Sequence, residues 1–177
     1  IYEKAYNDYL DKYGADWVVS KTDSTGTSVQ LKTEEEYLPL FADKNFLVMR
    51  GEEITDSYDG KPLHMNATNV GEKIEPRHGN SVANVLQNNI NAVLEQREQT
   101  GQMVIPHINH PNFGWAISLD DMKALQGERF FEVFNGHNAV RNYGDSAHMS
   151  TEQMWDEINM AYIERGQPLM YGIATDD

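Results

Sequence analysis

The segment VIPHINHPNFGW, residues 104–115, places two imidazoles three residues apart, His107 and His110, at the end of an apolar run. Pro106 and Pro111 make a helix untenable there, so the spacing is that of a strand running into a turn and not of a helical metal motif. Other apolar runs also finish on polar groups: Glu53 in NFLVMRGEEI, Asn135 in FFEVFN and Asp177 in LMYGIATDD. Neutral imidazole with carboxylate is a donor set for Zn²⁺, Mn²⁺ or Fe²⁺. A carboxylate can bridge two such ions. Paired ions can activate a water and stabilise both the attacking and the leaving oxygen of a phosphoryl displacement. The chain has no cysteine, so any metal must be held by His, Asp or Glu.

Groups so far apart in the sequence meet only if the elements before them deliver them to one place. Tyr2, Ala5, Tyr6, Tyr9, Leu10 and Tyr13 fall at helical spacing, with Gly14 at the stop. DWVVS predicts a strand ending near Asp23. Thr33 and Glu36 have capping-box spacing and open a short helix that Pro39 cuts or kinks. NFLVMRGEEI predicts the strand carrying Glu52 and Glu53, and LHMNATNV alternates as a companion that can hairpin beside it. Val82 to Arg97 carry a long amphipathic pattern, with Asn80 as the expected N-cap and Gly101 as the end. The strand MVIPHINH, a helix capped by Ser118 and Asp121, the strand FFEVFN, a helix opened by Ser150 and Gln153, and the strand LMYGIATDD complete the chain. This alternation implies an α/β fold with mostly parallel strands. In a β/α barrel the C-terminal ends of the strands share one face, where Glu53, His110, Asn135 and Asp177 would converge.

With 177 residues the chain is long enough for one domain with a substantial core, and residues 1–177 are expected to form one. Lys and Arg total 14 against 28 Asp and Glu, a net charge of −14. An acidic surface repels phosphate backbones and argues against a nucleic-acid scaffold role. Small phosphorylated substrates remain compatible where bound cations reverse the local field. No apolar run approaches the roughly 18 residues of a membrane span. The chain opens at Ile1 without an initiator Met and stops in GIATDD, so it is expected to be cut at both ends. Its compartment stays open between the cytoplasm and export from a bacterial cell.

VMRGEEIT, the later His64, PHINHPNFGW, FFEVFNG and the terminal YGIATDD resemble, in that order, the polymerase-and-histidinol-phosphatase (PHP) domain family over nearly the whole chain. The resemblance implies a distorted (β/α)7 barrel, here truncated at both ends. It implies two or three divalent ions in a complete site and phosphoesterase activity. It also implies that Glu53, the Glu of Gly-x-Glu, bridges metals, that His64 and His110 are ligands, and that Asp177 is the Asp of a closing Asp-x-His. The family's opening His-x-His is absent, Asp23-Ser24 stands where Asp-His is usual, and the last histidine would fall beyond Asp177. An incomplete cluster is therefore expected.

The reading is a metal-dependent phosphoesterase that hydrolyses a phosphate mono- or diester with a metal-activated water. Glu53 and His110 are its catalytic residues, and Glu53, His64, His110 and Asp177 its metal ligands. His107, Asn135 and Arg77 are assigned to the substrate pocket, with Arg141 a further candidate for a phosphate. The alternatives are an amidohydrolase-type metal hydrolase and a PHP domain that binds metal without catalysis, which Ser24 favours. Glu52 should point away from Glu53. His78, His137 and His148 read as solvated loop histidines, Asp23 as a turn residue, and Phe113 and Trp115 as packing. Glu53 and His110 are expected within about 6 Å, the span of two ligands on a shared ion with some relaxation.

Overall fold

The computed structural model describes residues 3–42 and 45–177. Contacts divide the chain into residues 1–48 and residues 49–177. In the first unit, helix α1 (Glu3–Tyr13) carries the tyrosine pattern, while Tyr2 lies outside the described residues. The Trp17 indole N–H donates to the Tyr9 hydroxyl at 3.0 Å. Strands β1 (Ser20–Asp23) and β2 (Gly26–Val29) make an antiparallel hairpin. Asp23 is its turn residue: Oδ1 accepts from the Thr25 N–H at 2.8 Å and hydroxyl at 2.6 Å, an Asx-type turn. Helix α2 (Glu34–Tyr37) is opened by the Thr33–Glu36 box and passes into a 3₁₀ turn containing Pro39.

The second unit is a five-stranded sheet with helices packed on one face. Its strands are β3 (Gly51–Tyr58), β4 (Lys61–Thr68), β5 (Ile105–Ile108), β6 (Phe130–Asn135) and β7 (Tyr171–Thr175), in spatial order β3-β4-β5-β6-β7. The first two pairings are antiparallel and the last two parallel. The sheet is open, with β3 and β7 at its edges. The expected barrel of mostly parallel strands is therefore corrected to an open mixed sheet. The reason is local. Asp59 and Gly60, at φ 50° and 74°, form a two-residue turn that returns β4 antiparallel to β3. A β/α barrel needs a crossover between successive strands, and none fits there.

A second correction follows. The strand expected over 45–54 begins only at Gly51. After Thr68 the companion strand turns away at Asn69, φ 67°, and the Asn69 and Val70 N–H groups both donate to the Arg50 carbonyl. Residues 46–49 thus have no ladder partner, and Phe46, Leu47 and Met49 are exposed. Glu53 consequently lies near the start of β3 and not at its end.

Helix α3 (Val82–Thr100) starts at Ser81, not Asn80, because the Ser81 hydroxyl accepts the Asn84 N–H at 3.1 Å. Gly101, at φ 69°, ends it in the left-handed conformation glycine adopts cheaply. Helices α4 (Leu119–Ala124) and α5 (Thr151–Glu164) open with the expected boxes at Ser118 and Ser150. Val85, Leu86, Ile90 and Val93 of α3 join Met122, Met154 and Ile158 in one core with Ile54, Leu63, Met65, Ala67, Ile108 and Phe131 of the sheet. Full burial of one such side chain contributes roughly 1.5–3 kcal/mol. The two-residue period then sends Glu53, Thr55, His64, Asn66, His107 and Asn109 to the opposite face. Among the described residues no helix is long and apolar enough to cross a membrane.

Candidate metal centre

The face of the sheet opposite α3 carries the polar residues. Cross-strand pairing aligns Glu53 with Asn66 and Asn66 with His107, and Thr55 with His64, one step along. His64 Nδ1 lies 3.4 Å from Glu53 Oε1. Strand β5 ends at Ile108, and His110 then adopts φ 23°, a left-handed value unusual for a side-chain-bearing residue. His110 Nε2 thereby comes to 3.9 Å from Glu53 Oε1, inside the expected 6 Å. The His64 and His110 rings meet edge to face with centroids 5.1 Å apart. One donor atom from each of Glu53, His64 and His110 lies within 4.8 Å of the others, the one such group of three found among the described residues.

This set fits a divalent ion: two imidazole nitrogens and one carboxylate oxygen, from three chain segments. Asn109, 3% exposed, donates through Nδ2 to Glu53 Oε1 at 2.8 Å and to Asn66 Oδ1 at 3.0 Å. A carboxylate oriented in this way is what a ligand-supporting partner supplies. Burial pushes His110 below its ordinary pKa; the Glu132 charge opposes this, and nearby His64 adds to the lowering. The ring is thus neutral at neutral pH, the form that ligates.

The other expected site residues divide. Asp177 is tied to Asn135, whose Nδ2 reaches Asp177 Oδ1 at 3.0 Å and Glu132 Oε2 at 2.9 Å. Asp177 lines a cleft of about 480 Å³ together with Glu53, Asn66, Asn109 and Glu132. His107 is buried, its Nε2 has no hydrogen-bond partner, and it lies 4.0 Å from Glu132 Oε1. Burial lowers its pKa against the attraction of Glu132. Arg77 is not brought to this group. Its guanidinium forms a two-point ion pair with Glu95, at 2.9 and 2.6 Å, in a separate cleft along α3. That cleft is larger, about 710 Å³, but no histidine lines it and its arginine is occupied. The cleft beside the convergent donors is the better candidate.

Several loop residues have structural employment. Glu52 accepts the Ile74 N–H at 2.7 Å and anchors the following loop. His78, at φ 45°, bonds the buried Asp56 at 2.7 Å. His148 stacks on Trp115, with centroids 4.0 Å apart, and pairs with Asp145. Phe113 packs against the His64 and His110 rings.

Three residues escaped the sequence reading: Asn66, Asn109 and Glu132. A signal existed for the last. A carboxylate inside FFEVF is buried if the strand is, and buried charge is costly unless satisfied. Asn109 shares the two-residue period of His107, but attention to the histidines passed over it. No family model, no curated protein and no solved structure matches this chain.

Proposed function

We propose that Glu53, His64 and His110 hold a divalent transition-metal ion and that the chain is a metal-dependent phosphoesterase for a small phosphate mono- or diester. The observation that carries this reading is the convergence of their three donor atoms within 4.8 Å. When bound, the ion supplies Lewis acidity and lowers the pKa of a water. The chain's own groups do the rest. Asn109 fixes the Glu53 carboxylate. Burial keeps His110 neutral. The Glu53 side chain is 43% exposed, against 8% for His110, so substrate reaches the group from the carboxylate side, over the 480 Å³ cleft.

No lysine or arginine lines that cleft, and Glu52, Glu53, Glu132, Asp176 and Asp177 all do. Phosphate binding there falls to bound cations. The PHP resemblance supports phosphate ester as the bond cleaved. A second reading, a metal-binding domain without turnover, draws on Ser24 standing in place of a family histidine. Assays on p-nitrophenyl phosphate and bis-p-nitrophenyl phosphate with Mn²⁺ or Zn²⁺ decide between them. The proposal expects turnover that chelation abolishes and either metal restores. Metal-loaded protein that turns over neither ester selects the second reading.

A further inference from the structure

We infer that Glu132 is a positioning residue for this metal group, holding His110 in the backbone conformation that aims its imidazole at Glu53 and His64; the inference rests on the metal reading above. Glu132 is 2% exposed in the middle of β6, between Phe131 and Val133. Its Oε2 accepts the His110 backbone N–H at 2.9 Å and Asn135 Nδ2 at 2.9 Å, and its Oε1 accepts the Thr175 hydroxyl at 2.9 Å. One carboxylate thus ties together the turn after β5, the end of β6 and β7.

Satisfying a buried charge explains the number of donors, but not why a charge is there. An apolar residue of similar size is often at least as stabilising at such a place. The answer lies with the group it holds. His110 sits at φ 23° immediately before Pro111. Residues before proline are pushed toward extended backbone, and a left-handed conformation in a side-chain-bearing residue persists only where its surroundings over-determine it. The Glu132 bond to the His110 N–H supplies that constraint. Strand alternation alone would set His110 on the opposite side from His107 and Asn109; the left-handed turn returns it to the group. Through Asn135 the same carboxylate reaches Asp177, so the cleft wall and the ligand turn share one anchor.

Glu132→Gln in the full chain tests this. A glutamine keeps the shape but removes the negative charge, so the His110 N–H is left with at most a neutral acceptor and the Thr175 hydroxyl must reverse to accept from the new NH₂. Two readouts are taken well below the unfolding temperature: Co²⁺ affinity, and hydrogen exchange of the His110 amide in metal-free protein. The inference expects Co²⁺ affinity to fall about 10–100-fold, as for loss of a partner that orients a ligand. It expects His110 exchange to quicken at least about tenfold as the N–H loses its charged acceptor. Unchanged affinity in the folded variant overturns it. Should wild-type protein take up no Co²⁺, the metal reading fails by itself. The exchange readout still decides the positioning: unchanged His110 protection overturns it, and lost protection supports it. If Glu132→Gln does not fold, Thr175→Val removes one donor to Glu132 from outside the ligand set. A fall in Co²⁺ affinity of about 3–10-fold is then expected, in proportion to one lost hydrogen bond, and none overturns the inference.

Discussion

The two faces of the sheet are made from alternate residues of the same strands, and they do opposite things. In β4, Leu63, Met65 and Ala67 are at most 1% exposed against the helices, while His64 and Asn66 between them face the donor group. In β3, Ile54 joins the core and Glu53 the carboxylate site. A slip of one residue in the β3–β4 register would exchange the faces, burying His64 among methyl groups and exposing Leu63. The Asp59–Gly60 turn that fixes this register therefore stands upstream of the donor group. Core and proposed metal site are nearly separable here, although they are one residue apart.

That separation can be broken from either side. Met65→Ala leaves a cavity beneath the helices and should cost about 2–5 kcal/mol of stability. Below its lowered unfolding midpoint, the variant should bind Co²⁺ as tightly as wild type; denaturant titration and Co²⁺ titration read the two quantities independently. Glu53→Gln inverts the pattern. It removes the charge shared with His64 and His110 and should lower ester hydrolysis by at least about 10²-fold, near 2.7 kcal/mol in barrier. Its metal-free stability should move by about 1 kcal/mol or less, because the side chain is partly exposed. Equal losses of stability and activity in both variants would show that the faces are not separable.

A similar contrast runs along β6. In its middle, Glu132 has a hydrogen-bond donor on each oxygen. Just before its start, Glu128 is 3% exposed; Oε1 accepts the Arg129 and Phe130 N–H groups, while Oε2 has no partner. Burial raises its pKa well above the ordinary carboxylate value, against those two backbone hydrogen bonds. The folded state thus holds a proton that the unfolded chain gives up, and stability falls as pH rises above the unfolded value near 4.5. Glu128→Gln should stabilise by about 1 kcal/mol at pH 7, because the amide is already neutral and takes up no proton on folding. Urea midpoints should converge with wild type at pH 4. No gain at pH 7 would mean that the orphaned oxygen finds a partner in solution.

The smallest expected effect belongs to His107. Its pKa is lowered in the fold, so as pH falls below about 6.5 the unfolded chain takes up the proton first. In metal-free protein His107 should subtract from stability as pH falls from 7 to 5.5, with a slope no steeper than about 1.4 kcal/mol per pH unit and opposite in sign to that of Glu128. His107→Gln should flatten that slope in pH-resolved urea titrations; an unaltered slope would place the proton uptake elsewhere.

The sequence made the elements legible where a local rule decided them. Ser118 with Asp121, Ser150 with Gln153 and Gly101 all stand at the helix ends they predicted. The barrel failed because the alternation of types was read as an alternation of crossovers, although the Asp-Gly pair in SYDGKP is a strong hairpin signal. Glu53, His64 and His110 were named from motif and strand position, and they lie together. What brings His110 there was not legible. Its left-handed backbone depends on a hydrogen bond to a carboxylate 22 residues away, which no local pattern encodes. Arg77 failed for the complementary reason: an arginine is read as a phosphate ligand only until its carboxylate partner, Glu95, is seen one helix away.

The central claim, that these three side chains hold a metal ion, is tested most directly by crystals equilibrated with Zn²⁺ and measured across the zinc absorption edge. The account predicts an anomalous peak about 2.0–2.2 Å from a Glu53 carboxylate oxygen and from one nitrogen each of His64 and His110. Saturating Zn²⁺ that leaves no peak among the three, or peaks only on the acidic surface elsewhere, would contradict it.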